Sequence, residues 1–243
     1  MKLLLAIPSY NRPYDIAKHC HWLKDFKYDY KVFVEEDQVM YYEQSIGIDN
    51  IVQTPNGSGL MGQIVEIGRY ATIKQYEIVF KMDDDMSLKK RSTRKHQIAD
   101  VINEYVEKCL EQFKNEDVSL ITCAKPMEYR YAKTEGFIER KRPVYGNYMV
   151  RQWYLLFMDK DLLLFDDLWI SVEVVKSRKK ILTYTGAYEN AITHKNNGGL
   201  QSYDRDELGK RSYEVAKELY PQIEILENSK HKKFDISVKN YFK

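Results

Sequence analysis

Two hydrophobic periods alternate along this chain. Leu3 to Ile7 is an unbroken apolar run closed by Pro8 and Ser9, as expected of a buried strand. Pro13 to Phe26 follows with helical spacing, and Pro13 suits a first helical turn because its missing N–H would have no helical partner there. Lys31 to Glu35 predicts a second strand, Gln38 to Ile46 a short helix, and Ile51 to Gln53 a third strand. The glycine-rich turn Gly57 to Gly62 leads into a helix over Leu60 to Lys74, and Glu77 to Met82 predicts the next strand. Strands alternating with helices predict an α/β fold built on a parallel sheet.

Thr93 to Asn115 carries Ile98, Val101, Ile102, Tyr105, Val106, Cys109, Leu110 and Phe113 on one helical face. Val118 to Ala124 is a further strand. Lys125 to Gly146 is basic, aromatic and aperiodic, which predicts loops around a hairpin. Asn147 to Asp159 reads as strand, Asp166 to Lys179 as helix, Ile181 to Tyr184 as strand, and Asp206 to Leu219 as helix before a basic tail. No internal repeat or low-complexity linker divides the chain.

Composition narrows the partners. With 44% hydrophobic and 30% charged residues and a net charge of +2, the chain reads as an ordinary globular protein with no global field that demands nucleic acid. Its three cysteines have no metal-ligand spacing and fit reduced thiols, hence a cytoplasmic setting. The first apolar run is too short for a secretory signal, and no run is long enough to insert stably in a membrane. Twenty tyrosines supply rigid amphipathic surface suited to sugars, bases or protein partners.

The chemistry gathers where strands are predicted to end. Ile78 to Met82 stops at Asp83-Asp84-Asp85. If the strand continued, Asp83 and Asp85 would share a face and repel, and a divalent cation would relieve that repulsion; Asp84 would face the other way. A solvated acidic turn would give the same sequence. The turn Pro8-Ser9-Tyr10-Asn11-Arg12 opens a helix, where free N–H groups suit a diphosphate. Glu35, Glu36 and Asp37 close the second strand, where a carboxylate could accept from a ribose hydroxyl or a base N–H; they could equally be acidic first-turn residues.

The order strand-Pro-Ser-Tyr-Asn-Arg, strand-Glu-Glu-Asp, glycine-rich segment, strand-Asp-Asp-Asp resembles the nucleotide-sugar-binding half of GT-A-fold glycosyltransferases. The resemblance implies a mixed, mostly parallel sheet flanked by helices, with 1–124 as donor half, 125–205 as acceptor and base half, and 206–243 as a C-terminal extension. It implies Mn²⁺ or Mg²⁺ held by Asp83 and Asp85, completed by His194, and gripping the diphosphate of a UDP-sugar. Pro8, Ser9, Asn11, Arg12, Glu35, Glu36, Asp37 and Asp84 would face the donor. Phe165-Asp166-Asp167 resembles the acidic pair that carries the base of inverting members. That leaves Asp166, Asp167 and, more remotely, Glu173 as candidates to take the acceptor's proton. Helix capping by Asp166 is the plainer reading. The chain departs from many relatives in lacking an Ala-Arg-Asn sequence after the glycines and in having Asp-Asp where Glu-Asp is common.

Basic clusters at 89–91, 94–95, 140–142, 176–180 and 230–233, one interleaved with tyrosines and Phe137, could hold phosphates and stack a flipped base, or simply be solvated surface. Together with the compact form, they resemble phage enzymes that glycosylate hydroxymethylated pyrimidines in DNA, which would place the protein in host cytoplasm. A glycan or lipid-linked acceptor, and a non-enzymatic nucleic-acid-binding module, are the alternatives.

Overall fold

The computed structural model describes residues 1–90, 96–132, 134–191, 205–228 and 233–242. Its centre is a nine-stranded sheet in the spatial order β3 (Ile51–Thr54), β2 (Asp29–Glu35), β1 (Leu3–Pro8), β4 (Ile78–Lys81), β8 (Tyr148–Arg151), β6 (Val118–Ala124), β9 (Lys180–Ala191) and β5 (Met86–Lys89), with β7 (Phe137–Glu139) also on β9. β8 runs antiparallel to β4 and β6, and β5 and β7 run antiparallel to β9. The remaining six strands share one direction, so the sheet is mixed and mostly parallel, as expected.

Strand alternation divides the core into two layers. Leu3, Leu5 and Ile7 of β1, with Ile78 and Phe80 of β4, pack against Ile16 of α1 (Pro13–His19), Tyr42 of α2 (Val39–Ile46), and Val101, Tyr105 and Cys109 of α4 (Ile98–Gln112). Leu4, Ala6 and Val79 pack on the other face against Ile64 and Ile67 of α3 (Gly59–Ile73) and Trp169 and Val172 of α6 (Asp166–Lys176). α3 lies hard against the 3₁₀ segment Gln152–Phe157. A Cβ on Gly68 would sit 2.8 Å from Leu155 Cβ, so glycine permits the approach.

Several expected elements change shape. The helix from Pro13 breaks at Cys20 into a 3₁₀ turn, His21–Asp25. The strand expected over Asn147 to Asp159 ends at Arg151, because Gln152–Phe157 coils into the 3₁₀ segment that meets α3. Among the described residues of Lys125 to Gly146 no hairpin forms. A short helix, α5 (Pro126–Tyr131), precedes β7, which pairs with the distant β9. After α7 (Arg205–Leu219), β10 (Glu224–Asn228) and β11 (Lys233–Ser237) pair antiparallel as a separate two-stranded sheet. Tyr220 beyond α7 stacks on Trp169, centroids 5.0 Å apart. Among the described residues no helix is long and apolar enough to cross a membrane.

Candidate active site at the carboxyl ends of β1 and β4

A cavity of about 350 Å³ opens where β1 and β4 end, the place where open α/β sheets bind ligands. Pro8, Ser9, Tyr10 and Arg12 line one wall; Asp83, Asp84 and Asp85 line the floor; Phe165, Asp166 and Asp167 close the far side. Glu35, Gly59 and Gln63 complete the end nearest α3. Segments far apart in sequence thus meet in one cleft.

The aspartates occupy a turn rather than a continuing strand. β4 ends at Lys81, and Met86 N–H returns to the Asp83 carbonyl at 3.2 Å. Strand alternation therefore does not apply to them. Asp84 and Asp85, expected on opposite faces, both accept from Arg12 Nη1, at 2.7 and 3.2 Å. Asp84 also accepts from Ser9 Oγ at 2.6 Å and is only 4% exposed. Burial pushes its carboxyl up to about 6, against the pull of Arg12 and the Ser9 bond. Asp84 holds the Pro8–Arg12 turn to the floor. Asp85 is raised by burial and by repulsion from Asp83. Asp83, whose side chain is 37% exposed, is the most open of the three.

Three N–H groups of that turn already have protein acceptors. Ser9 N–H donates to Phe33 O at 3.0 Å, Asn11 N–H to Gln38 Oε1 at 2.8 Å, and Arg12 N–H to Tyr42 Oη at 2.9 Å. Asn11, at φ +56°, does not line the cavity, nor do the exposed Glu36 and Asp37. Glu35 does line it, but accepts from Gly57 N–H, Ser58 Oγ and Gly59 N–H, and so secures the start of α3. His194 lies outside the described residues.

Asp166 and Asp167 begin α6, preceded by Phe165 in the left-handed region at φ +67°. Asp166 is buried and accepts from Tyr148 Oη at 2.9 Å. Asp167 is partly buried and accepts from Gly146 N–H at 2.7 Å and Leu168 N–H at 2.8 Å. Burial and the Asp166 charge push the Asp167 carboxyl up to about 7. Glu173 is not in the cavity lining.

Three contributors were not apparent from the sequence. Lys81, 2% exposed, places its ammonium 2.6 Å from Asp83 Oδ1 and 3.3 Å from Asp166 Oδ2. Its position in β4 shares the face of Val79, and that parity in an apolar run was the available signal. Asn147 Oδ1 accepts from Asp83 N–H at 3.0 Å, while Asn147 N–H donates to Glu189 Oε1 at 3.2 Å. Gly146, at φ +86°, leaves room for the Glu189–Lys125 ion pair, which a Cβ would crowd at 2.7 Å.

Burial pushes Glu189 up to about 7, opposed by Lys125 and reinforced by Asp83. A carboxyl raised on folding adds most to stability below its unfolded pKa, and that contribution disappears as pH rises through the folded value. Glu189→Gln should therefore match wild type near pH 4 and exceed it by on the order of 2 kcal/mol near pH 8. Denaturant melts across that window test this, and a pH-independent difference between the two proteins would refute it.

Neither known protein families nor curated protein sequences give a match to the chain. Solved structures do. The mannosyltransferase PcManGT from Pyrobaculum calidifontis, in complex with GDP-Man and Mn²⁺, superposes with a TM-score of 0.55 at 13% identity, over 80% of this chain and 58% of that one. The chain thus spans little more than half the length of that enzyme. An apo UDP-glucose pyrophosphorylase gives a TM-score of 0.49 at 10% identity, over 90% of this chain and 100% of that one. The inositol-1-phosphate CTP transferase from T. maritima gives 0.48 at 8% identity, over 87% and 96%. The chain has a GT-A-like mixed α/β fold, shared with that mannosyltransferase.

Proposed function

We propose that this protein transfers a sugar from a nucleotide-diphosphate sugar to a hydroxyl group, with a divalent cation at Asp83 and Asp85. The carrying observation is the charge of the cavity, where among the described residues six carboxylates (Glu35, Asp83, Asp84, Asp85, Asp166 and Asp167) meet two cations, Arg12 and Lys81. A diphosphate would be repelled from such a site without a counter-cation. Among the described residues no three His, Cys, Asp or Glu gather into a metal cage. Two carboxylates on one turn, the more open Asp83 and the half-buried Asp85, instead suit Mg²⁺ or Mn²⁺, which take further ligands from phosphate oxygens and water. Such a cation supplies charge neutralisation to the departing diphosphate. The structural neighbour solved with GDP-Man and Mn²⁺ has this fold, which supports the reading.

In this reading Asp167 takes the proton of the acceptor hydroxyl as its oxygen attacks the anomeric carbon. A carboxyl near 7 is well matched to that task at neutral pH. Two backbone N–H groups fix its orientation. Asp166 lies beside it, held by Tyr148 Oη and the Lys81 ammonium.

For the acceptor, two readings have support. The exposed Tyr131 and Tyr145, lining a second cavity with Lys141, fit a hydroxymethylated pyrimidine in DNA. The pairing of both Arg140 and Arg142 with Glu128 fits an uncharged saccharide better, because it reduces the positive charge offered to a phosphate backbone. Calorimetry with UDP, GDP and their sugars, with and without Mn²⁺, should show metal-dependent binding of one nucleoside diphosphate. Incubation of that labelled donor with hydroxymethylated DNA, plain DNA and oligosaccharides then identifies the acceptor. Absence of metal-dependent binding to every nucleotide would end the proposal and leave the non-enzymatic alternative.

A further inference from the structure

The cavity floor contains a cation of its own. Lys81 is the only charged residue of β4, and the strand's alternation directs it to the α6 face, where Val79 packs among the α3 and α6 side chains. Its ammonium lies 2.6 Å from Asp83 Oδ1, 3.3 Å from Asp166 Oδ2 and 5.8 Å from the Tyr148 ring centroid. Tyr148 is the register partner of Lys81 across β4 and β8, and its hydroxyl donates to the same Asp166 oxygen. One buried charge therefore links the turn proposed to hold metal with the pair proposed to hold the base.

Burial of this kind is costly unless both sides are compensated. Lys81 bridges two carboxylates, the buried Asp166 and the more open Asp83. It also competes for one of them. Asp83 Oδ1 cannot give its full charge to a divalent cation while an ammonium sits at hydrogen-bond distance.

We propose that Lys81 is a positioning residue that tempers the hold of Asp83 on the divalent cation and ties cation occupancy to the acidic pair. When the cation takes Asp83, the ammonium's remaining partner is Asp166, so loading the donor side fixes the acceptor side. The inference rests on the metal reading above. It adds that the floor lysine weakens metal binding while supporting transfer, a combination that a merely structural lysine would not produce.

The test uses Lys81→Met and Lys81→Gln in the full chain. Gln retains a hydrogen-bond donor toward both carboxylates without the charge. Mn²⁺ affinity is read from the free-ion signal in electron paramagnetic resonance, without donor or acceptor present, and folding is checked by circular dichroism. Both variants should bind Mn²⁺ about tenfold more tightly than wild type, as expected for removing a competing charge. Turnover at saturating donor should fall by about tenfold or more, with donor KM unchanged or lower. Weaker or equal Mn²⁺ binding in folded Lys81→Gln, beside clear binding by wild type, would overturn the role of Lys81 alone. No Mn²⁺ binding by wild type would overturn the metal reading and this inference with it.

Discussion

Asp85→Ala is expected to reduce sugar transfer by about a thousandfold and leave the fold intact. The asymmetry with its neighbour follows from the turn. Asp85 is raised by burial and by repulsion from Asp83, and Arg12 retains Asp84 when Asp85 is removed. The deletion therefore relieves one unfavourable contact and loses one long ion pair at 3.2 Å. Asp84→Ala is the contrasting case. It strips Arg12 and Ser9 of a buried partner and should destabilise the protein by about 3–5 kcal/mol. Denaturant melts and Mn²⁺ binding on the two variants separate the roles. An Asp85→Ala protein with wild-type turnover would exclude Asp85 from the metal site.

Asp167→Asn should lower transfer by about a hundredfold to ten-thousandfold while stabilising the fold at pH 8. Both effects come from one cause. Burial and the neighbouring Asp166 raise the Asp167 carboxyl to about 7, well above its value in an unfolded chain. Its share of stability is complete below the unfolded pKa and is lost as pH rises through 7, and asparagine removes that loss. For wild type, the same titration predicts a transfer rate that climbs about tenfold per pH unit below 7 and levels off above it. In Asp167→Asn that limb should vanish with the activity. Asp166→Asn, which keeps a partner for Tyr148 Oη, should retain the limb. If Asp166→Asn loses the limb and Asp167→Asn keeps it, the assignment is reversed.

The sequence disclosed the layers better than the connections between them. Long amphipathic α4 and the apolar strands β1, β4 and β6 could be read because burial imposes one period on each. The converging aspartates could be located because each lies at the end of such an element. What was hidden depends on contacts distant in the chain. Glu35 resembles a ribose ligand until Gly57 and Gly59 are seen to donate to it. Lys81 looks like a polar interruption until Asp166 arrives from another element. β5 and β7 are too short to carry a period, and only β9 makes them strands. The DNA expectation came from runs of basic residues, and sequence could not show that Glu128 and Glu104 pair with Arg140, Arg142 and Lys90.

β9 has a consequence for how the chain is made. It starts at Lys180 and pairs with β6, β5 and β7, all synthesised earlier. Until it emerges from the ribosome, β6 is an open parallel edge and the two short strands have no sheet to join. An unpaired hydrophobic edge is a template for association with other chains. Glu189, which anchors Asn147 and thereby the Asp83 turn, rides on the same strand. The cleft is therefore assembled only after β9 has been translated, and premature termination upstream of β9 would yield a sticky fragment rather than a weakened protein.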